Sequence, residues 1–193
     1  ATDLGCASPA STVVLLTVLS GPSVTISSST DTLCVGDTVT YTASLSTFAS
    51  YEFFNTGTSL QDSTTFTYVT GGLSAGDSIY VIATDQGCPG PLSNIIVPLV
   101  NPLPAIILTS SDSDLTICAG DVVTIFSSPS GMANYDFYLN GTLVQLGTDS
   151  NYVTSTLVDG DTITVIALST DGCMGPVSNS LVFTVNPIPP ISL

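Results

Sequence analysis

Short runs of alternating or continuous apolar residues recur along the chain, each bounded by glycine, proline, aspartate or serine. In the first half these runs predict strands at 24–27, 38–44, 51–55, 65–69, 78–84 and 93–100. In the second half the matching runs predict strands at 106–109, 122–127, 135–139, 151–154, 162–168 and 178–185. Helical periodicity appears nowhere, and short strands separated by turn residues at this spacing are typical of a β-sandwich. The pattern therefore predicts an all-β chain.

The second half of the chain repeats the first with an offset of 84 to 85 positions. Three motifs return in this register: Cys-x-Gly-Asp-x-Val-Thr at 34–40 and 118–124, Tyr-acid-Phe-aromatic at 51–54 and 135–138, and Gly-Cys at 87–88 and 172–173. Self-similarity at a fixed period indicates a repeat architecture. A unit of about 85 residues with six or seven strands has the size and strand count of an immunoglobulin-like (Ig-like) sandwich. We expect tandem Ig-like β-sandwich repeats that stack end to end.

Proline-rich segments mark the predicted boundaries between repeats. Asn-Pro-x-Pro occurs at 101–104 and at 186–189, where proline withholds ladder donors and keeps a linker extended. The opening segment 1–6 aligns with 83–88, so it is predicted to come from the end of a preceding repeat. The predicted organisation is a tail at 1–21, a first repeat at 22–102, a second repeat at 103–187, and a linker or start of another repeat at 188–193.

The charge of the chain is one-sided. It contains no lysine, arginine or histidine and 15 acidic residues, which gives a net charge of −15. Nucleic acid is excluded as a partner because phosphate binding needs cationic side chains, and anionic membranes are disfavoured for the same reason. No apolar run approaches the roughly 20 residues that a bilayer-spanning helix needs, so we expect no direct membrane insertion. Hydrophobic residues reach 44%, which indicates a folded chain.

Catalytic chemistry is not expected. Without histidine or lysine, neither a Ser-His-Asp nor a Cys-His arrangement can form. Paired carboxylates can hydrolyse glycosides, but Glu52 has Asp136 as its counterpart in the second repeat, which favours surface decoration over a site. We predict that the chain is not an enzyme, has no catalytic residue, and binds no zinc.

Calcium is the one metal for which the sequence offers ligands. It takes six to eight oxygen ligands, and Asp112 and Asp114 form an Asp-x-Asp pair near Asp121. The alternative is that these acids are solvated. The Gly-Asp steps at 36–37, 76–77, 120–121 and 160–161 pose the same choice. They precede predicted strands, where glycine with positive φ and a capping aspartate favour turn chemistry over a metal role. Apart from this calcium candidate, no cofactor is expected.

The combined motif set resembles a known group of repeats. Cys-x-Gly-Asp-x-Val-Thr, Tyr-x-Phe-aromatic, Gly-Cys and Asn-Pro-x-Pro together look like the Ig-like or PKD-like repeats of giant surface proteins in Bacteroidota. That group includes gliding-motility adhesins of the SprB type, exported by the type IX system. The resemblance implies an extracellular, cell-surface location. It also implies the repeat region of a long adhesin or filament that acts as a semi-rigid stalk in adhesion or gliding.

The resemblance leaves partners and alternatives open. The implied partners are neighbouring repeats of the same chain and a surface polysaccharide or abiotic surface. A purely structural surface fibre or sheath and a glycan-binding module are the alternative functions. The inward members of the aromatic runs at 51–54 and 135–138 are expected in the core, which leaves a ligand-binding role without support from the sequence.

Asp-(Ser/Thr)-(aliphatic or Thr) triplets resemble the O-glycosylation acceptor pattern of Bacteroidota. The acceptor residues that this resemblance implies are Thr32, Thr38, Ser63, Ser78 and Thr162. The alternative is a turn aspartate followed by a β-forming residue, which a threonine-rich sandwich produces often.

Cysteines at matching positions in both repeats indicate disulfides formed in an oxidising compartment. Pairing within repeats gives Cys34–Cys88 and Cys118–Cys173. Pairing across repeats gives Cys34–Cys173, with Cys6, Cys88 and Cys118 bonded outside the sequence. In an Ig sandwich the loops that hold Cys34 and Cys88 lie at opposite ends. A seven-residue strand spans roughly 23 Å, whereas a disulfide needs Cα atoms within about 7 Å. The end of one repeat that holds Cys34 is expected to face the end of the next repeat that holds Cys173, which favours Cys34–Cys173; within-repeat pairs and free thiols remain the alternatives.

Overall fold

The computed structural model describes residues 2–3, 6–7, 12–15 and 18–190. Parts of the predicted tail at 1–21 and of the predicted segment at 188–193 lie outside the described residues. Every regular element in the described part of the chain is a β-strand. No helix long and apolar enough to cross a membrane occurs among the described residues.

The described residues form twenty strands. Up to residue 101 the strands are β1 (Thr2–Asp3), β2 (Cys6–Ala7), β3 (Ile26–Ser28), β4 (Thr32–Cys34), β5 (Val39–Ala43), β6 (Ser50–Asn55), β7 (Thr58–Ser63), β8 (Thr67–Thr70), β9 (Ile79–Asp85), β10 (Cys88–Pro89) and β11 (Leu99–Asn101). After it they are β12 (Ile107–Ser110), β13 (Thr116–Cys118), β14 (Val123–Ser128), β15 (Asn134–Leu139), β16 (Thr142–Gly147), β17 (Asn151–Thr154), β18 (Thr162–Leu168), β19 (Leu181–Val182) and β20 (Thr184–Asn186).

Each repeat contains a three-stranded sheet, a four-stranded sheet and a parallel pair. In the first repeat the orders are β3-β5-β8, β10-β9-β6-β7 and β4-β11. In the second they are β12-β14-β17, β16-β15-β18-β19 and β13-β20. The fold is therefore an all-β, Ig-like β-sandwich architecture, which confirms the fold class that the apolar pattern predicts.

Alternating burial along the strands builds the cores. In β5 the buried residues are Val39, Tyr41 and Ala43, with half-buried residues between them, because successive side chains of a strand point to opposite faces. The inward aromatic residues Tyr51, Phe53, Tyr135 and Phe137 are fully buried, as predicted. The core of the second repeat consists of Ile106, Leu108, Ile117, Val123, Ile125, Tyr135, Phe137, Leu157, Ile163, Val165, Ala167, Leu181, Phe183 and Val185.

Three strands in the four-stranded sheets, β7, β10 and β16, are absent from the sequence prediction. β7 and β16 each pair with one neighbour only and contain no buried residue. An edge strand that buries neither face produces no apolar alternation, so the pattern could not reveal it. The three-residue strands β4 and β13 are too short to show a period.

The predicted final strand of each repeat is interrupted. In the first repeat the predicted run at 93–100 is reduced to an isolated bridge between Ile79 and Ile96, followed by β11. Pro98 lies between them and has no N–H to donate. In the second repeat the predicted run at 178–185 divides into β19 and β20, and the N–H of Phe183 between them donates to Asp161 O at 2.9 Å.

Backbone packing divides the chain into two compact units. One comprises 1–28, 41–68 and 78–96, and the other comprises 29–40, 69–77 and 97–193. The segment that contains the first Cys-x-Gly-Asp motif therefore belongs to the same compact unit as the second repeat. The repeat boundaries read from the sequence stay a prediction.

Candidate functional site: the Cys-x-Gly-Asp turns and the Cys34–Cys173 disulfide

Each Cys-x-Gly-Asp motif folds into the same hydrogen-bonded turn. In the first, the Asp37 N–H donates to Cys34 O at 3.0 Å and the Cys34 N–H donates to Asp37 Oδ2 at 2.9 Å. The turn at 118–121 repeats both bonds, at 3.1 and 2.9 Å. Gly36 and Gly120 have φ of +93° and +88°, which glycine adopts without the steric cost that a side chain imposes. The turn is therefore fixed by Gly-Asp and presents the cysteine at its start.

The other two Gly-Asp steps use the same bond. Ser74 donates its N–H to Asp77 Oδ2 at 2.8 Å, and Val158 donates its N–H to Asp161 Oδ2 at 2.8 Å. Asp161 is buried and also accepts a bond from Asn140 Nδ2 at 2.7 Å. All four aspartates accept a backbone N–H from three residues earlier, which is the predicted turn role.

One disulfide joins the two repeats. Cys34 and Cys173 are bonded, with Cα atoms 5.5 Å apart, inside the usual range of about 4.4–6.8 Å. Cys173 is fully buried and Cys34 is half-buried. This pairing is the one favoured by the position of the two cysteine loops at opposite ends of a single sandwich. The alternative of Cys34–Cys88 with Cys118–Cys173 is wrong.

Cys88 and Cys118 are free thiols among the described residues. Cys118 is exposed and Cys88 is half-buried. The side chain of Cys6, the fifth cysteine of the sequence prediction, lies outside the described residues.

The Gly-Cys loops of the two repeats differ by one residue. In the first, β9 and β10 pair Asp85 with Cys88, and the two residues between them have positive φ, as a type I′ hairpin turn requires. β1 and β2 pair Asp3 with Cys6 in the same register. In the second repeat Cys173 lies in a longer loop, where its N–H donates to Ser169 Oγ at 3.1 Å.

An Asn side chain in each repeat bonds to both the N–H and the C=O of one residue in the first strand, as a neighbouring strand would. The sequence pattern did not predict this role. Asn94 Oδ1 accepts the Ile26 N–H at 2.8 Å, and Asn94 Nδ2 donates to Ile26 O at 3.0 Å. Asn179 makes the same two bonds to Leu108, at 2.7 and 3.1 Å. The signal was present, because Ser-Asn recurs at 93–94 and 178–179 in the register of the repeat.

The serine of this Ser-Asn pair completes the link. The Val81 N–H donates to Ser93 Oγ at 3.0 Å, and the Ser93 N–H donates to Val81 O at 3.0 Å. Ser178 and Val165 form the same pair, at 3.0 and 2.9 Å. The dipeptide thus bonds to β9 or β18 through serine and to the first strand of its repeat through asparagine.

A buried tyrosine hydroxyl bonds to the loop before β6 in the first repeat and to the loop before β15 in the second. Tyr51 Oη donates to Leu45 O at 2.6 Å and accepts the Phe48 N–H at 3.1 Å. Tyr135 repeats both bonds, at 3.0 and 3.2 Å, to residues at the same sequence distances. A buried Tyr is thereby satisfied at its hydroxyl, as an apolar core requires.

The predicted calcium ligands are occupied by backbone bonds. Asp112 Oδ1 and Asp114 Oδ1 both accept the Thr116 N–H, at 3.3 and 3.0 Å, and Asp121 belongs to the turn described above. In the described part of the chain, no three His, Cys, Asp or Glu side chains are grouped so that they could hold a metal. A depression of about 270 Å³ beside them is lined by Leu108, Thr109, Ser110, Asp112, Ser113, Leu115 and Leu181. Calcium binding stays a prediction.

The predicted glycosylation acceptors differ in exposure. Thr32 and Thr38 are exposed, whereas Ser63, Ser78 and Thr162 are half-buried. Thr32 and Thr38 are therefore the more exposed of the five predicted acceptors, and the modification itself stays a prediction.

The two repeated acids lie at equivalent places in β6 of the first repeat and β15 of the second. Glu52 in β6 and Asp136 in β15 are both half-buried. The absence of enzyme activity stays a prediction.

These features define the class of the protein as an all-β chain of Ig-like sandwiches that carries a disulfide between sequence repeats. No family model matches the chain, and no curated protein matches it. Solved structures with some likeness include the fibronectin(III)-like modules of CbhA from Clostridium thermocellum, with 16% identity, 84% of this chain and 94% of that chain covered, and a TM-score of 0.42. Another is the human OSCAR ligand-binding domain, with 14% identity, coverage of 86% and 100%, and a TM-score of 0.38. Both likenesses are distant, so the fold assignment rests on the strand pairings above.

Proposed function

We propose that the chain is the repeat region of a long extracellular cell-surface adhesin or filament, in which it acts as a semi-rigid stalk. The observation that carries the proposal is the Cys34–Cys173 disulfide. It gives the two repeats a second covalent connection beside the peptide linker. A connection of this kind restricts how far the repeats can separate under tension.

The surface location is supported by the chemistry of the chain. Structural disulfides form and persist in oxidising compartments such as the cell exterior. The absence of lysine and arginine removes every cleavage site for trypsin-like proteases. The partners in this proposal are neighbouring repeats of the same chain and a surface polysaccharide or abiotic surface.

A role in gliding motility, with export by the type IX system, is supported by the motif resemblance to SprB-type repeats. The test is antibody labelling of this repeat on living cells of the source organism, filmed over minutes. Label that travels along the cell body is the expected result for a motility adhesin. Label that stays fixed in fibres would assign the chain to a structural filament. Absence of surface label on intact cells, with signal after lysis, would contradict the whole proposal.

Glycan binding is a second candidate, favoured by one pair of rings. Phe54 and Tyr80 are cross-strand neighbours that stack with centroids 5.0 Å apart and an interplanar angle of 11°. Both are half-buried, and their counterparts Tyr138 and Thr164 supply only one ring. Half-exposed stacked rings offer a flat apolar face of the kind that a sugar ring can cover.

The glycan candidate predicts a difference between the repeats. A panel of soluble polysaccharides would be tested for binding to the chain, to Phe54→Ser, and to Tyr138→Ser as the matched control. Loss of binding in Phe54→Ser alone is the expected result. Absence of binding by the unaltered chain, or equal binding by both variants, would eliminate this candidate.

A further inference from the structure

We infer that Cys118 and Cys88 are half-cystines for further repeats of this kind. Cys118 would bond to the Gly-Cys cysteine of a following repeat, and Cys88 to the Cys-x-Gly-Asp cysteine of a preceding one. The inference concerns covalent connectivity, and it goes beyond the proposed stalk function without depending on any surface role.

The turn that presents Cys118 is the turn that presents Cys34. Both turns make the two Gly-Asp bonds described above, and the backbone on either side is held alike. β4 pairs Cys34 with Asn101 in parallel, and β13 pairs Cys118 with Asn186 in the same way. The residue after each cysteine donates its N–H to that asparagine's carbonyl, at 3.0 and 2.9 Å. Cys118 is therefore preorganised as Cys34 is, without a bonded partner in this chain.

The backbone after Cys88 is anchored as it is after Cys173. Two residues beyond each cysteine a glycine packs against the carbonyl oxygen of the proline near the start of its repeat, Gly90 on Pro22 and Gly175 on Pro104. A Cβ at either glycine would overlap that oxygen. The extra residue of the second loop lies before Cys173, so the anchored side of the two loops is equivalent.

Burial separates the bonded cysteines from the free ones. Cys34 is half-buried while its counterpart Cys118 is exposed, and Cys173 is fully buried while its counterpart Cys88 is half-buried. Both differences have the sign expected if a bonded repeat covers the cysteine. Cys118 and Cys88 are each more exposed than the equivalent bonded cysteine. This is the expected difference if each forms the same disulfide with a repeat that is absent here.

The resulting connections overlap along the chain. Cys118 lies inside the interval that Cys34–Cys173 closes, so a bond from Cys118 to a later repeat would begin before the first bond ends. Successive bonds would then leave no linker between repeats unbridged. An array built this way resists extension at every repeat.

Formation of each bond requires a disulfide oxidant, such as oxidised glutathione or a disulfide-bonded oxidoreductase. The Cys118 thiolate attacks one sulfur of the oxidant, forms a mixed disulfide and releases one thiol. The thiolate of the partner cysteine then displaces the second thiol and leaves the new disulfide. The two cysteine protons pass through solvent to the two released thiols, so the oxidant gains two electrons and two protons.

The test is a chain in which residues 103–187 are duplicated directly after Pro187, so that Cys118 precedes a following repeat with the native linker. The copied repeat carries Thr116→Ser and Val177→Ile as mass labels at two exposed positions, one on the aspartate-bounded peptide of each cysteine. The protein is oxidised with glutathione and digested without reduction by a protease that cleaves at aspartate. Cys34–Cys173 in the same map verifies that the unaltered repeats have folded.

The expected result is a linked peptide that joins the original Cys118 to the cysteine of the copied repeat equivalent to Cys173, with loss of Cys118 thiol labelling. Cys118→Ser in the duplicated chain should leave that copied cysteine free. Bonding of the copied cysteine within its own repeat, or a Cys118 thiol that stays free, would overturn the inference. The map reports connectivity only, so it can fail while the cell-labelling result for the proposed function stands.

The unaltered 193-residue chain provides a second test that needs no duplication. At high concentration with oxidised glutathione, we expect oligomers linked from Cys118 of one copy to Cys88 or Cys6 of another. Oligomers with equal proportions of Cys118–Cys118 and Cys118–Cys88 links would show random thiol pairing and contradict the inference.

Discussion

The first and second Cys-x-Gly-Asp turns have the same backbone but different covalent states. The same pair of bonds closes both turns, with lengths that agree within 0.1 Å, yet Cys34 is in a disulfide and Cys118 is a free thiol. The disulfide therefore does not shape the turn. Gly-Asp and the parallel strand pair build it, and the cysteine is a separate feature that acts between repeats.

Removal of the disulfide is expected to have the largest effect on stability, and it affects only the turn that holds Cys34. Cys34→Ser with Cys173→Ser should lower the free energy of unfolding by about 4 kcal/mol, because a closed loop of well over a hundred residues is opened in the unfolded chain. Urea denaturation measures this loss. The matched control is Cys88→Ser with Cys118→Ser, which should change stability by less than about 0.5 kcal/mol. Equal losses in both double variants would mean that Cys88 and Cys118 are also bonded.

Substitution of Asn94 and of Asn179 should reduce stability equally in the two repeats. Asn94→Ala and Asn179→Ala each remove two hydrogen bonds to the backbone of a strand, so each should cost about 2 kcal/mol. Hydrogen exchange of the Ile26 and Leu108 amides should accelerate in the matching variant only. A cost confined to one repeat would show that the two asparagines are not equivalent.

Removal of the aspartate should destabilise the turns at 74–77 and 158–161 by different amounts. Asp161→Ala should cost about 2 kcal/mol and Asp77→Ala about 1 kcal/mol, because Asp161 is buried and also holds Asn140. Thermal unfolding of both variants measures the difference. A double-mutant cycle of Asp161→Ala with Asn140→Ala should return a coupling of about 1 kcal/mol. Additive losses would show that the Asn140 contact does not stabilise the turn.

Tyr51→Phe and Tyr135→Phe should each cost about 1 kcal/mol, as small a loss as that of Asp77→Ala. Each removes one hydroxyl that accepts and donates a bond to loop backbone, and leaves the buried ring in place. Chemical denaturation of the two variants side by side checks that the losses match. A clearly larger loss at Tyr135 would show that its loop depends more on the hydroxyl than the first one does.

Periodicity and repetition could predict most of the sandwich. The buried strands alternate because one face of each is apolar, and the inward rings at 51–54 and 135–138 could be identified from that alternation. The edge strands β7 and β16 could not, because they bury neither face. The role of the Ser-Asn pairs at 93–94 and 178–179 could not be predicted either. It depends on hydrogen bonds between residues that are 68 positions apart in the first repeat and 71 in the second.

The cysteine pairing could be predicted in part. Cys34 and Cys173 were identified because strand length places the loops of one sandwich too far apart for a disulfide. The same argument leaves Cys88 and Cys118 without a partner inside the sequence, and both are free thiols in the structure. Calcium binding by Asp112, Asp114 and Asp121 stays a prediction, and in the structure each of these carboxylates accepts a backbone N–H.

The central claim is that the two repeats are joined by Cys34–Cys173, and single-molecule stretching from the two chain ends tests it most directly. The 139 positions between the bonded cysteines cannot extend while the disulfide is intact. We predict that the fully stretched chain is shorter by about 470 Å than after addition of reductant, at about 3.4 Å per residue. Two separate deficits of about 180 Å each would instead indicate disulfides within each repeat, and full extension without reductant would contradict the account.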